Sequence, residues 1–203
     1  MDWYKTPEIP LNAFLEAIRP VYEAKNIKQR SGTEDVFLRS MIGMDDDAWN
    51  ERVQWERQKK ALTMSMGYFH QRLLGSFEGW KCLKNGHATG CDVSNQTETE
   101  FWEVKNADNT MNSDSSKSVI RKLLHIASAG HKACLVLVNC SKQTVPRFQA
   151  PESIEVISGC TAYARLSGRA SFFDDLAQTI QECMRRFPTL DLLVAEVAAR
   201  TSQ

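Results

Sequence analysis

Six consecutive apolar residues, Ala133-Cys134-Leu135-Val136-Leu137-Val138, limit this chain's fold more than any other stretch. A strand alternates its side chains between two faces, so a run with no polar position has to be buried on both. Apolar layers are therefore needed above and below a central strand. Upstream, Phe69, Leu73, Leu74 and Phe77 line one face of a helix that follows Gly67. Trp80 to Leu83 reads as a short strand, Lys84-Asn85-Gly86-His87 as a turn, and Cys91 to Ser94 with Glu100 to Asn106 as the arms of a hairpin. A helix capped by Asn112 or Ser113 follows, with an apolar face of Val119, Ile120, Leu123, Leu124 and Ala127 and a stop at Gly130. Ile154 to Ile157 reads as one more strand, and Phe172 to Phe187 and Leu190 to Ala199 as helices around Pro188. From Gly67 the order is helix, three strands, helix, strand, which gives an α/β (α+β) fold with a mixed central sheet flanked by helices.

The first third reads differently. Leu11, Phe14, Leu15, Ile18, Val21 and Tyr22 have helical spacing, with Pro20 expected to break or kink the segment. Asp45-Asp46-Asp47 precedes a helix from about Ala48 to Met64 and suits its N-terminus; the side chains of consecutive residues diverge, so the triplet is read as a cap and not as a metal site. We therefore divide the chain into a helical subdomain, 1–66, and a core with C-terminal helices, 67–203. With 203 residues, 42% hydrophobic, there is enough chain for a substantial core. No apolar run is long enough to span a bilayer, and Met1-Asp2-Trp3-Tyr4-Lys5 lacks the layout of a signal peptide, so a cytoplasmic protein is expected. Zero formal net charge argues against a protein that coats nucleic acid non-specifically, but not against an enzyme with a local basic surface. The six cysteines form no Cys-x-x-Cys pair and read as reduced thiols, most of them in apolar context, and the four histidines are equally dispersed.

Chemistry concentrates in Asp92 and Glu103-Val104-Lys105. On a strand Glu103 and Lys105 share a face, while Trp102 and Val104 point into the opposite layer. A hairpin centred between Thr97 and Glu98 sets Asp92 opposite Glu103. Two adjacent carboxylates repel unless a cation lies between them, and Mg²⁺ takes one or two carboxylates plus waters, a carbonyl and a substrate phosphate oxygen. Asp92, Glu103 and the Val104 carbonyl are thus candidate metal ligands, and Lys105 a candidate to orient a nucleophile or neutralise charge on phosphorus. A solvated strand face carries the same letters. Asn106, Asn109, Thr110, Asn112 and Ser113 can hydrogen-bond phosphates or base edges, or simply satisfy their own loop.

The element order together with Asp92 and Glu103-Val104-Lys105 resembles the PD-(D/E)XK nuclease superfamily, although Cys91 stands where its leading proline would be. The stretch Glu103-Val104-Lys105-Asn106-Ala107-Asp108-Asn109-Thr110-Met111-Asn112-Ser113 is similar to the signature of type II restriction endonucleases that cut GGNCC sites. The resemblance implies a restriction-endonuclease-like core, Mg²⁺-dependent hydrolysis of double-stranded DNA at a short site, a homodimer matching a near-palindromic target, and functional pairing with a DNA methyltransferase. It also implies Gln71 or Glu78 as an accessory residue near metal-bound water. Lys117, Arg121 and Lys122 are candidates for a phosphate-tracking stripe, and Arg147, Arg165 and Arg169 for base or phosphate contacts. The alternatives are a repair or structure-selective nuclease on the same core, and a non-catalytic DNA-binding module whose acidic pair is structural.

Overall fold

A computed structural model describes residues 3–26, 35–84, 86–106, 113–139 and 150–201. Five strands form one sheet in sequence order: β1 (Trp80–Cys82), β2 (Val93–Asn95), β3 (Glu100–Lys105), β4 (Lys132–Leu137) and β5 (Ile154–Ser158). The pairs β1–β2 and β2–β3 are antiparallel, while β3–β4 and β4–β5 are parallel. Parallel neighbours need a crossover, and the helix Ser113–Ser128 supplies it between β3 and β4. The mixed sheet and the order of elements along the chain from the helix Asp46–Leu74 to β4 agree with the sequence reading.

Side-chain parity divides the interior into two cores. Phe101, Ala133, Leu135, Leu137 and Ile154 face one side, where Val119, Leu123 and Ile126 of the Ser113–Ser128 helix cover them. Trp102, Val104, Cys134, Val136, Val138 and Ile157 face the other, against aromatic and aliphatic residues of the remaining helices. The crossover helix is thus rotated slightly from the predicted face: Ile126 is buried and Leu124 is 38% exposed. Gly130, at φ +87°, ends the helical segment as expected.

Seven helices complete the described residues: α1 (Leu11–Lys25), α2 (Val36–Ile42), α3 (Asp46–Leu74), α4 (Ser113–Ser128), α5 (Gly159–Ser167), α6 (Phe172–Arg186) and α7 (Leu190–Thr201). Three of them differ from expectation. First, α1 continues through Pro20 without a break. A proline deprives the carbonyl four residues earlier of its partner, and here Arg72 donates to the Glu16 carbonyl at 2.7 Å in its place. Second, the two helices predicted around Gly67 are one 29-residue helix, α3, and the 66/67 boundary falls inside it. A helical glycine costs only about 1 kcal/mol, which packing against α1 outweighs. Third, α5 was missed. Ser158 caps it by accepting from Thr161 N, and its first residue must be small, since a Cβ on Gly159 would lie 2.5 Å from the Val138 carbonyl oxygen. The aspartate triplet acts as read: Asp45 caps α3 by accepting from Ala48 N at 2.9 Å, and Asp46 and Asp47 occupy its first turn.

The five described cysteines are free thiols; Cys91, Cys134 and Cys183 are buried, Cys82 is exposed and Cys160 half-buried. No described helix is long and apolar enough to cross a membrane.

Candidate active site

The hairpin register matches the predicted symmetry. Val93 pairs with Trp102 and Ser94 with Phe101, so the next step outward brings Asp92 beside Glu103. Asp92 lies one residue before β2 rather than within it. Its backbone is nevertheless pinned on both sides: its N–H donates to the Trp102 carbonyl at 3.1 Å and its carbonyl accepts from Leu83 N at 2.8 Å. Its carboxylate accepts from Val104 N at 2.8 Å. Burial pushes the Asp92 carboxyl up to about 6; the neighbouring Glu103 charge adds to the shift, while the Val104 N–H, Lys105 and Lys122 oppose it.

Glu103 is the most deeply buried carboxylate among the described residues, 3% exposed. Parity turns it to the α4 side of the sheet together with Lys105, whose Nζ lies 2.7 Å from Oε1. The other oxygen, Oε2, accepts from Lys122 of α4, and the same ammonium donates to the Gly90 carbonyl at 2.6 Å. Such burial of an ionised carboxylate requires compensation of this kind.

Glu103, Lys105 and Lys122 open into a cleft of about 820 Å³ at the carboxyl end of β3, while Asp92, beside Glu103, is not among its lining residues. Thr63, Met64, Gly67, Tyr68 and Gln71 of α3 form one wall, and Asp114, Ser115, Ser118, Val119 and Lys122 of α4 the other. Glu103 through Asn106 form the floor. The Asn106 side-chain oxygen accepts from Asn139 Nδ2 at 2.8 Å, and their backbones are joined as well.

Of the other sequence-derived candidates, Gln71 lines the cleft. Glu78 is exposed in the turn after α3 and is not among the lining residues. Asn109, Thr110, Asn112 and Arg147 lie outside the described residues; Ser113 opens α4, its side chain likewise outside them. Lys117 and Arg121 are exposed on α4 but do not line the cleft, and Lys117 sits 4.0 Å from Asp114. Lys122 does not join them in an outward stripe: it turns inward to Glu103. The i, i+3, i+4 and i+7 spacing of Ser115, Ser118, Val119 and Lys122 is the signal that could have found it. Arg165 pairs with Glu155, and Arg169 with Asp175 and with Glu8 at 3.0 Å.

Whether the site suits a divalent cation can be judged from its donors. Among the described residues no cluster of three or more His, Cys, Asp or Glu exists that could hold a metal. Asp92 and Glu103 instead offer two adjacent hard oxygen donors, which matches the habit of Mg²⁺ of taking one or two carboxylates and filling the rest of its shell with water and phosphate. Burial first, and then the neighbouring Glu103 charge, holds the Asp92 carboxyl up, and a cation between the two carboxylates would oppose both. The residues fit.

A mixed sheet with a helical crossover, presenting a buried acid and a lysine two residues apart at a cleft, is a restriction-endonuclease-like core. The chain belongs to the Eco47II restriction endonuclease family, which it matches over residues 34–187. It is similar to the type II restriction enzyme Sau96I of Staphylococcus aureus, 23% identical over 199 residues that cover 88% of this chain and 75% of that protein. It is also similar to the type II restriction enzyme Eco47II of Escherichia coli, 24% identical over 149 residues, 64% of this chain and 62% of that protein.

Proposed function

We propose that the chain is a Mg²⁺-dependent type II restriction endonuclease of the PD-(D/E)XK kind that hydrolyses phosphodiester bonds in double-stranded DNA at a short site, GGNCC. The observation that carries this reading is the Glu103 carboxylate, buried at the cleft floor with Lys105 on one oxygen and Asp92 alongside. Asp92 and Glu103 would hold Mg²⁺, with the Val104 carbonyl as a third donor. When bound, the ion polarises the scissile phosphate and lowers the pKa of a coordinated water. The Val104 N–H keeps the Asp92 carboxylate turned toward its partner. Lys105, with its side chain 30% exposed, can donate to the attacking water or to the phosphate oxygen on which charge builds. Gln71, on the opposite wall of the cleft, would hold a water near the acids.

Asn106, fixed through Asn139, offers its amide N–H to a phosphate or base edge, and the segment holding Asn109, Thr110, Asn112 and Ser113 continues that role. Lys117 and Arg121 supply outlying charge for the backbone of the duplex. Cutting both strands of a near-palindromic site calls for two active sites related by a two-fold axis, hence a homodimer. Phe37, Met41 and Trp55 are among the exposed apolar side chains of the first third that could contribute to it. A partner methyltransferase would protect host sites.

Incubation of plasmid DNA with Mg²⁺ tests the proposal. Wild type is expected to give discrete fragments whose ends map to GGNCC, while Glu103→Ala and Lys105→Ala leave the plasmid intact. Cleavage that follows DNA structure instead of sequence would favour a repair nuclease. Intact DNA with wild type under Mg²⁺ and Mn²⁺ would favour a non-catalytic module.

A further inference from the structure

Both oxygens of the Glu103 carboxylate are taken by ammonium groups, Oε1 by Lys105 and Oε2 by Lys122. A cation approaching Glu103 therefore meets an occupied ligand. The two lysines differ in what they can do next. Lys105 extends from the same strand as Glu103, two residues away, so its stem is tied to the floor of the site. Lys122 comes from α4, and its ammonium already has a second acceptor in the Gly90 carbonyl. Gly90 adopts φ +65°, and a Cβ there would sit 3.2 Å from Lys122 Cδ. A glycine at this position thus leaves the lysine stem room to lie along the loop before β2.

We propose that Lys122 is a positioning residue that stands in for the divalent cation: in the metal-free protein it holds Oε2 of Glu103, and on metal binding it withdraws to the Gly90 carbonyl. This rests on the reading of Glu103 as a metal ligand. In the metal-free state Lys122 compensates the second oxygen of a buried carboxylate whose first oxygen is held by Lys105. In the metal-bound state the ammonium keeps one hydrogen bond, so withdrawal loses one contact and not both. Metal affinity is then set by competition, since a cation gains Oε2 only at the expense of the lysine.

Binding of Mn²⁺ alone to the full chain, without DNA, tests this through the electron paramagnetic resonance signal of the free ion. Lys122→Gln, which keeps a donor but not the charge, is expected to bind Mn²⁺ about tenfold more tightly than wild type. It should also melt at a lower temperature in chelator and gain more on metal addition. Lys122→Arg, whose fork grips a carboxylate more firmly, should bind no more tightly than wild type. Equal or weaker binding by Lys122→Gln, with Glu103→Gln losing the ion, overturns the role of Lys122 alone. Wild-type affinity in Glu103→Gln overturns the ligand reading as well. A second measurement needs no variant: reductive methylation of Lys122, followed by mass spectrometry and referred to the exposed Lys117, should be faster in Ca²⁺ than in chelator. An unchanged or slower rate contradicts the withdrawal.

Discussion

Acidification should destabilise this protein through His70, a buried residue to which no step of the proposed chemistry is assigned. His70 lies on α3, is 4% exposed, and shares a hydrogen bond of 2.9 Å between Nδ1 and the Tyr163 hydroxyl. Burial pushes its pKa down to about 4. In the unfolded chain the imidazole takes up its proton near 6.5. Between those values the unfolded state carries more protons, so the contribution is complete above about pH 6.5 and is lost as pH falls toward about 4. The difference between the two values corresponds to about 3 kcal/mol, a sizeable part of the ~5–15 kcal/mol by which such a domain is stable. Carboxylates also titrate in this range, so the measurement has to be a difference. Urea unfolding of wild type and His70→Gln, repeated from neutral pH down to about pH 4, isolates the imidazole. The advantage of wild type over the variant should shrink by about 3 kcal/mol across the range. Parallel stability curves for the two proteins would refute the argument, since they would mean that His70 takes its proton without having to leave its buried site.

Two further perturbations test local accounts of the fold. Arg72→Ala removes the donor that serves the Glu16 carbonyl and should cost about 1 kcal/mol in urea unfolding. In a Pro20→Ala background, where the helix regains its own N–H, the same change should cost measurably less; equal costs would show that Arg72 does not replace the missing bond. Gly159→Ala should destabilise by about 1–3 kcal/mol because its Cβ meets the Val138 backbone, whereas Gly67→Ala, with open space around it, should stabilise by about 0.5–1 kcal/mol. Similar thermal shifts for the two glycine variants would remove the steric explanation.

The sheet was legible because its signals are short-range and strict. A period of two assigns Trp102 and Val104 to one core and Glu103 and Lys105 to the other side without any knowledge of the partners, and hairpin symmetry then finds Asp92. What escaped depends on residues far away in sequence. Pro20 predicts a broken helix until Arg72 is seen to satisfy the orphaned carbonyl. Gly67 predicts a boundary until α1 is seen packed along α3. Lys122 belongs by spacing to an outward stripe with Lys117 and Arg121 just as well as to the cleft. The rotation of α4 decides between them, and it is set by Val119, Leu123 and Ile126 sinking into the sheet.

The unbroken course of α3 has a consequence for how this chain can be taken apart. At about 1.5 Å per residue it is a rod roughly 44 Å long. Its first half carries the outward-facing Trp55, and its last two turns carry Tyr68 and Gln71 on the wall of the cleft. A chain divided at 66/67 would keep only the last eight residues of the rod, 67–74, well short of the ~12–15 that hold helical form unaided in water. The half that bears the acids and the lysine would lose the brace for one of its walls. The first third is therefore not cargo attached to a finished nuclease. Exchanging it for that of a relative would replace Thr63 and Met64 of the cleft wall along with it, and any tilt imposed at its far end would be felt beside Glu103.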